Sequence, residues 1–237
     1  MAQPAFGESS EHMEKQFATR YFLATHRPLI QTLCGRQAAA RKCLLPFIDG
    51  SCRREPDFES HFPSISATCR ASLFAPRLRV GDRVVYLTTK GKYLADIERG
   101  WRFVAILQII HRFSSHLEAA TWYEQQNLAP PSNCFVEGNP PKPFELTNGN
   151  PPKEIRERVR LELNSGHAVR LWDATYRSRI AKCPVFLVTK PNYLQLNNPP
   201  QLRDTDMLEI FGKIPATLNP PEITGEQFNL LKQFAVG

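Results

Sequence analysis

The order of apolar runs and polar breaks predicts an α+β domain with five or six strands and four or five helices, interleaved without a regular alternation. Three observations carry this. Two runs, VVYLT at 84–88 and WRFVAILQII at 101–110, are rich in β-branched and aromatic residues and too continuously apolar for edge strands. Three stretches, at 114–126, 151–164 and 224–234, instead place apolar residues at helical spacing behind capping or proline signals. Finally, Asn-Pro-Pro occurs four times, starting at 139, 150, 198 and 219, and paired prolines mark connections because they continue neither a helix nor a central strand.

In chain order, residues 1–14 are polar and read as loose. Met13, Phe17, Tyr21 and Phe22 allow a helix from Glu11 to about Thr25, where His26-Arg27-Pro28 interrupts it. QAAARKCLL at 37–45 is a second helical piece, closed by Pro46, so residues 1–45 are expected to form a helical extension ahead of a domain at 46–237. Residues 47–70 (FIDGSCRREPDFESHFPSISATCR) read as a winding loop followed by a short strand at 64–67. After the two apolar strands, SSHLEAATWYEQQ at 114–126 has Ser115 as N-cap and Glu118 at capping-box spacing. PPKEIRERVRLELN at 151–164 is amphipathic through Ile155, Val159 and Leu163. Strands are expected at 168–172, 185–189 and 207–214, with the polar connection DATYRSR at 173–179 between the first two. A helix capped by Thr224 closes the chain.

Composition bounds the function. With 42 % hydrophobic and 22 % charged residues in 237, the chain has the profile of an ordinary globular protein. No apolar stretch reaches the ~18 residues of a membrane span. MAQPAFGESSEHMEKQ lacks the apolar core of a secretory signal, so a cytoplasmic protein with reduced thiols is expected. The net charge of +7 is uneven: residues 15–103 carry sixteen Lys/Arg against seven Asp/Glu, the remainder fourteen against sixteen. An arginine-biased excess of that kind fits a surface for phosphate or nucleic acid; the alternative is a basic protein kept soluble by its charge.

Motifs for common chemistries are missing. The six cysteines include no C-x-x-C, the six histidines no H-x-x-x-H or H-E-x-x-H, and there is neither a phosphate loop nor a dinucleotide fingerprint. No metal and no cofactor is therefore expected. Two constellations remain. Between the apolar strands, Tyr86, Thr88, Thr89, Lys90, Tyr93, Trp101 and Arg102 combine stacking surfaces, hydroxyls and cations, as a base and its phosphate require. In DGSCRRE, Asp49, Arg53 and Glu55 crowd around Cys52 and Arg54; an arginine fork suits a phosphate or base edge, and a carboxylate accepts from an exocyclic amine. A solvated, salt-bridged loop would have the same composition. Trp172 and Tyr176 are placed to join from the later connection.

FAPRLRVGDRVVYLT at 74–88, preceded by DGSCRREPDFE and PSISATCR, resembles the nucleotide-modification-associated domains, a loose set within the PUA-like superfamily that also holds ASCH, EVE and YTH domains. FVAILQII at 103–110, Trp172, and PEITGEQFNLL at 221–231 follow in the order of that superfamily. The resemblance implies a curled sheet or pseudo-barrel with packed helices, holding a base in a pocket. The full aromatic cage of the YTH type has no counterpart here. The expected function is a binding module for a nucleotide or modified base, with nucleic acid as the expected partner. The alternatives are an enzyme acting on such bases through Cys52, Asp49 or Glu55, and an interaction subunit docking a protein through its N-terminal helices. The pocket is expected where loop 88–101 meets loop 49–55 and the connection after Trp172.

Overall fold

The computed structural model describes residues 18–68, 73–161 and 164–235. Its centre is a mixed seven-stranded sheet. The first strand β1 (Tyr21–His26) runs parallel to β3 (Arg83–Thr88), and β3 pairs antiparallel with β4 (Trp101–Phe113). The far side of β4 pairs with β5 (Phe186–Leu194), which carries the edge strand β2 (Ser64–Ser66). Two short strands complete the sheet: β6 (Gln201–Leu202) on the start of β4, and β7 (Glu222–Ile223) on β1.

The expected adjacency of the two apolar strands is present, with Val84 opposite Leu107 and Val85 opposite Ile106. The sheet is open, however: its order β2-β5-β4-β3-β1-β7 leaves β2 and β7 as separate edges. The pseudo-barrel expectation is corrected accordingly.

Both faces of the sheet are covered, which is why its strands read as continuous apolar runs. Phe22, Val84, Tyr86, Val104 and Leu187 face a core that also holds Leu29, Phe47, Ile48 and Phe58. Leu23, Val85, Leu87, Phe103 and Ile106 face α5 (Asp204–Phe211) and α6 (Gly225–Gln233) through Met207, Ile210, Phe228 and Leu231.

Four further helices are α1 (Leu33–Lys42), α2 (His116–Gln125), α3 (Arg156–Leu161) and α4 (Ser165–Lys182). Local signals set several of the helix ends. Ser115 accepts from the Glu118 amide at the start of α2, and Thr224 from the Gln227 amide at the start of α6. At α1, Thr32 accepts from the Gly35 amide and Cys43 closes the helix in the left-handed region, so it lies a few residues earlier than its composition alone indicated.

Three elements overturn the expectation from sequence. Residues 21–26 are an interior strand rather than helix, so residues 21–45 are not a helical extension; Leu29, Ile30 and Ala38 share a core with the sheet. The earlier part of the expected helix, from Glu11 to Phe17, lies outside the described residues. A strand buried on both faces has no alternation to betray it, and Phe17, Tyr21 and Phe22 imitate helical spacing. Residues 168–172, expected as a strand, and the connection after them lie within α4, where Asn164 caps the first turn and Ala168, Val169, Trp172, Asp173 and Tyr176 form the buried stripe. Residues 207–211 belong to α5, whose start is fixed by Asp206 accepting from the Arg203 amide and whose end is fixed by Gly212 at φ 68°. No helix among the described residues is long and apolar enough to cross a membrane.

Candidate functional site

The segment 47–58 is the least ordinary part of the chain: an irregular, highly charged stretch that is almost wholly buried. Arg53 is 0 % exposed, Arg54 1 %, Asp57 2 %, and Asp49 and Glu55 6 % each. It is salt-bridged as the composition allowed, but not solvated. Burying charge is costly unless each group is paired or hydrogen-bonded; here both arginines meet carboxylates, and Asp49, Glu55 and Asp57 accept from neutral donors.

Arg53 is the hub. Its Nε donates to Asp173 Oδ1 of α4 at 2.7 Å, and its Nη1 donates to the carbonyls of Ser132 and Asn139, both at 2.9 Å. Its guanidinium carbon lies 4.3 Å from the centre of the Phe135 ring. Arg54 donates to Glu59 at 3.0 Å and to the Ser51 and Leu146 carbonyls. Asp57 accepts from the amide and hydroxyl of Ser132, both at 2.7 Å. Glu55 accepts from Ser66 and Thr68 and from Asn133 Nδ2 at 3.2 Å. Lys142 donates its amide to the Cys52 carbonyl, and Asn139 Nδ2 closes the loop on itself through the Pro131 and Cys134 carbonyls. The charged segment thus holds loop 131–142 from beneath and ties it to α4. Cys52 packs in the same region, in an apolar cluster with Trp172, Tyr176, Ile155 and Val159.

Burial also shapes the protonation states. Desolvation pushes the Glu55 carboxyl up to about 8, although the hydrogen bonds from Ser66, Asn133 and Thr68 oppose it. Asp57 is raised for the same reason. The Cys52 thiol is pushed far above its ordinary value by burial and by Asp173, which leaves it a poor source of thiolate. His116, whose Nδ1 accepts from the Phe135 amide, is lowered to about 4 by burial and by the charge of Arg53.

Above this scaffold lies a surface depression of about 490 Å³, lined by Phe135, Val136, Glu137, Gly138, Asn139, Pro140 and Arg177. Arg177 is anchored through its Nε to Asp173 Oδ2 at 2.9 Å, while its side chain stays 60 % exposed. Asp173 therefore orients two arginines, one buried and one open, against the same aromatic ring, since the Arg177 guanidinium carbon lies 5.6 Å from the Phe135 centroid.

The residues singled out from sequence do not gather at this depression. Nine of the eleven are under 9 % exposed: Asp49, Arg53, Glu55, Tyr86, Thr88, Tyr93, Trp101, Arg102 and Trp172. Tyr86 packs edge-on against Phe58 and His26 on one face of the sheet, and Trp101 lies on the opposite face with Leu202 and Met207. Thr88 accepts from the Arg102 amide, Arg102 pairs with Asp96, and Tyr93 donates to the Thr89 carbonyl. Lys90 bridges to Asp204 at 2.6 Å and lies over the Trp101 ring. Trp172 donates to the Tyr176 hydroxyl and packs on Phe144. Asp49 accepts from Ser51.

Asp49 and Cys52 both lie near Tyr176, whereas Glu55 is held apart from them by Ser66, Thr68 and Asn133. None of the eleven lines the depression; Arg53 contacts two residues that do, Asn139 and Phe135. Sequence reasoning missed Phe135, Glu137, Asn139 and Asp173. The only local signal was an aromatic residue ahead of a Gly-Asn-Pro-Pro turn. Among the described residues no group of three His, Cys, Asp or Glu side chains is placed to hold a metal ion. No protein-family model, no curated protein and no solved structure matches this chain.

Proposed function

We propose that the protein is a binding module for a nucleotide or a modified base, with the depression above the Arg53 scaffold as its ligand site. The observation that carries this is the pairing of Phe135 with the exposed guanidinium of Arg177 in a recess of about 490 Å³, a volume in the ordinary range for small-ligand sites. The aromatic ring offers stacking, worth ~1–3 kcal/mol per base. Arg177 offers a planar fork for phosphate, and the carboxylate of the exposed Glu137 can accept from an exocyclic amine. A wall prefixed by Asp173 and Arg53 needs little ordering on binding, which favours affinity. The resemblance of residues 74–88 to nucleotide-modification-associated domains points the same way.

The test is titration of nucleoside 5′-monophosphates and short oligonucleotides, with ordinary and methylated bases, against wild type, Phe135→Leu and Arg177→Gln. The expected result is at least tenfold weaker binding in both variants, with the folded state retained by circular dichroism. Binding at wild-type strength in both would refute the assignment.

A further inference from the structure

Helices α3 and α4 carry an asymmetry that the charge balance of the whole chain conceals. Residues 153–182 hold eight Lys/Arg against four Asp/Glu, within the part of the chain whose overall balance is slightly acidic. One of those acids, Asp173, is buried and already shared between Arg53 and Arg177. Glu157 is paired with Arg160 at 3.8 Å. Lys153, Arg158, Arg170 and Lys182 are exposed, and among the described residues none of the four forms an ion pair with a carboxylate.

Part of the basic excess of residues 15–103 is paired with carboxylates. Arg20 pairs with Asp82, Arg53 with Asp173, Arg54 with Glu59, Lys90 with Asp204 and Arg102 with Asp96. Other cations of residues 15–103, among them Arg27, Arg36, Arg41, Arg77 and Lys92, stay exposed as well; what sets the α3–α4 face apart is that its cations adjoin the depression through Arg177.

The geometry of that face is directional. Arg170 and Arg177 are seven residues apart on α4, hence on one stripe of the helix and about 10 Å apart along its axis. Arg177 is the residue that walls the depression. The stripe of cations therefore leads into the recess.

We propose that the α3–α4 face is a track for the phosphodiester backbone of a nucleic acid, so that the ligand of the depression is a nucleotide within a strand rather than a free one. This rests on the nucleotide reading of the depression. Exposed cations attract any polyanion, an anionic membrane included. The termination of the stripe at an aromatic-walled, base-sized recess favours nucleic acid, because a strand running along the cations delivers a base to the ring while a lipid headgroup leaves the ring unused.

The experiment measures binding of a fluorescein-labelled 12-nucleotide single strand, its duplex form, nucleoside 5′-monophosphates and phosphatidylserine vesicles at several salt concentrations. The proteins are wild type, Arg158→Gln/Arg170→Gln, and a control pair, Lys213→Gln/Lys232→Gln, on the opposite side of the sheet. The arginine pair is expected to lower the slope of log affinity against log salt by about two for the oligonucleotide, one for each phosphate that an arginine no longer neutralises, and to leave monophosphate binding unchanged. The control pair is expected to leave both unchanged. A preference between single strand and duplex identifies which form the track takes. Monophosphate binding with an unaltered oligonucleotide slope in the arginine pair overturns the track while the depression stands. An equal drop in the control pair, or vesicle binding without oligonucleotide binding, also overturns it. Wild type that binds neither monophosphate nor oligonucleotide removes the reading of the depression as well.

Discussion

Replacing Glu55 by glutamine should change how stability depends on pH more than it changes stability itself. Glu55 sits among Ser66, Thr68 and Asn133 with its carboxyl raised by burial from 4.5 to about 8. Between those values the unfolded chain has released the proton while the folded protein keeps it. Its contribution is therefore fully present below pH 4.5 and is lost as pH rises toward 8. One proton of difference is worth ~1.4 kcal/mol per pH unit, so the loss between pH 6.5 and 8 is about 2 kcal/mol.

His116 acts with the opposite sign. Its value falls from 6.5 to about 4, so the unfolded chain binds the extra proton and stability rises with pH across that interval. The two slopes cancel between about 4.5 and 6.5, and Glu55 is left exposed above. In Glu55→Gln the side-chain oxygen can take the place of Oε2, which already accepts from the Ser66 amide and hydroxyl, the Thr68 hydroxyl and Asn133. The amide nitrogen then takes the place of Oε1 and gives up its share of the bifurcated Ser66 amide. The fixed cost is about 1 kcal/mol. Urea unfolding of both proteins at half-unit intervals from pH 5 to 9 gives the difference curve. It should fall by ~1.4 kcal/mol per unit and level off near pH 8. A difference independent of pH, or one rising with pH, would refute the assignment of the proton to Glu55.

Other consequences follow from the same contacts. Arg53→Met should cost about 3–5 kcal/mol in denaturant unfolding, because it leaves Asp173 buried with Arg177 alone and frees loop 131–142; a loss under 1 kcal/mol would mean that the hub is dispensable. Trp101→Ala should destabilise by about 3–5 kcal/mol, since the side chain is 6 % exposed and packs with Leu202 and Met207, and protein kept folded at low temperature should bind ligand as wild type does. Thr224→Ala should lower the unfolding free energy by ~1 kcal/mol by removing the cap on the Gln227 amide, an effect that an unchanged urea midpoint would disprove.

What the sequence determined by itself is everything governed by short-range chemistry. The caps of α2 and α6 lie within three residues of the groups they satisfy, and β3 and β4 are runs whose composition suits only a strand covered on both faces. The tertiary structure decided the rest. Tyr21–His26 became a strand because β3 and β7 lie on either side to complete its hydrogen bonds, and nothing within the segment distinguishes that from an apolar helix. Residues 168–172 joined a long helix because Asn164 caps it and its buried stripe meets Cys52 and Val159. The charged segment around Arg53 was conspicuous in the sequence, but its role was not. Its partner Asp173 is 120 residues away, and Ser132 is 79. Coulomb pairing and desolvation act through space, so the same arginine can face solvent, phosphate or a buried carboxylate. Only the fold, by bringing α4 and loop 131–142 against residues 49–57, selected the last and left Phe135 and Arg177 at the surface above it.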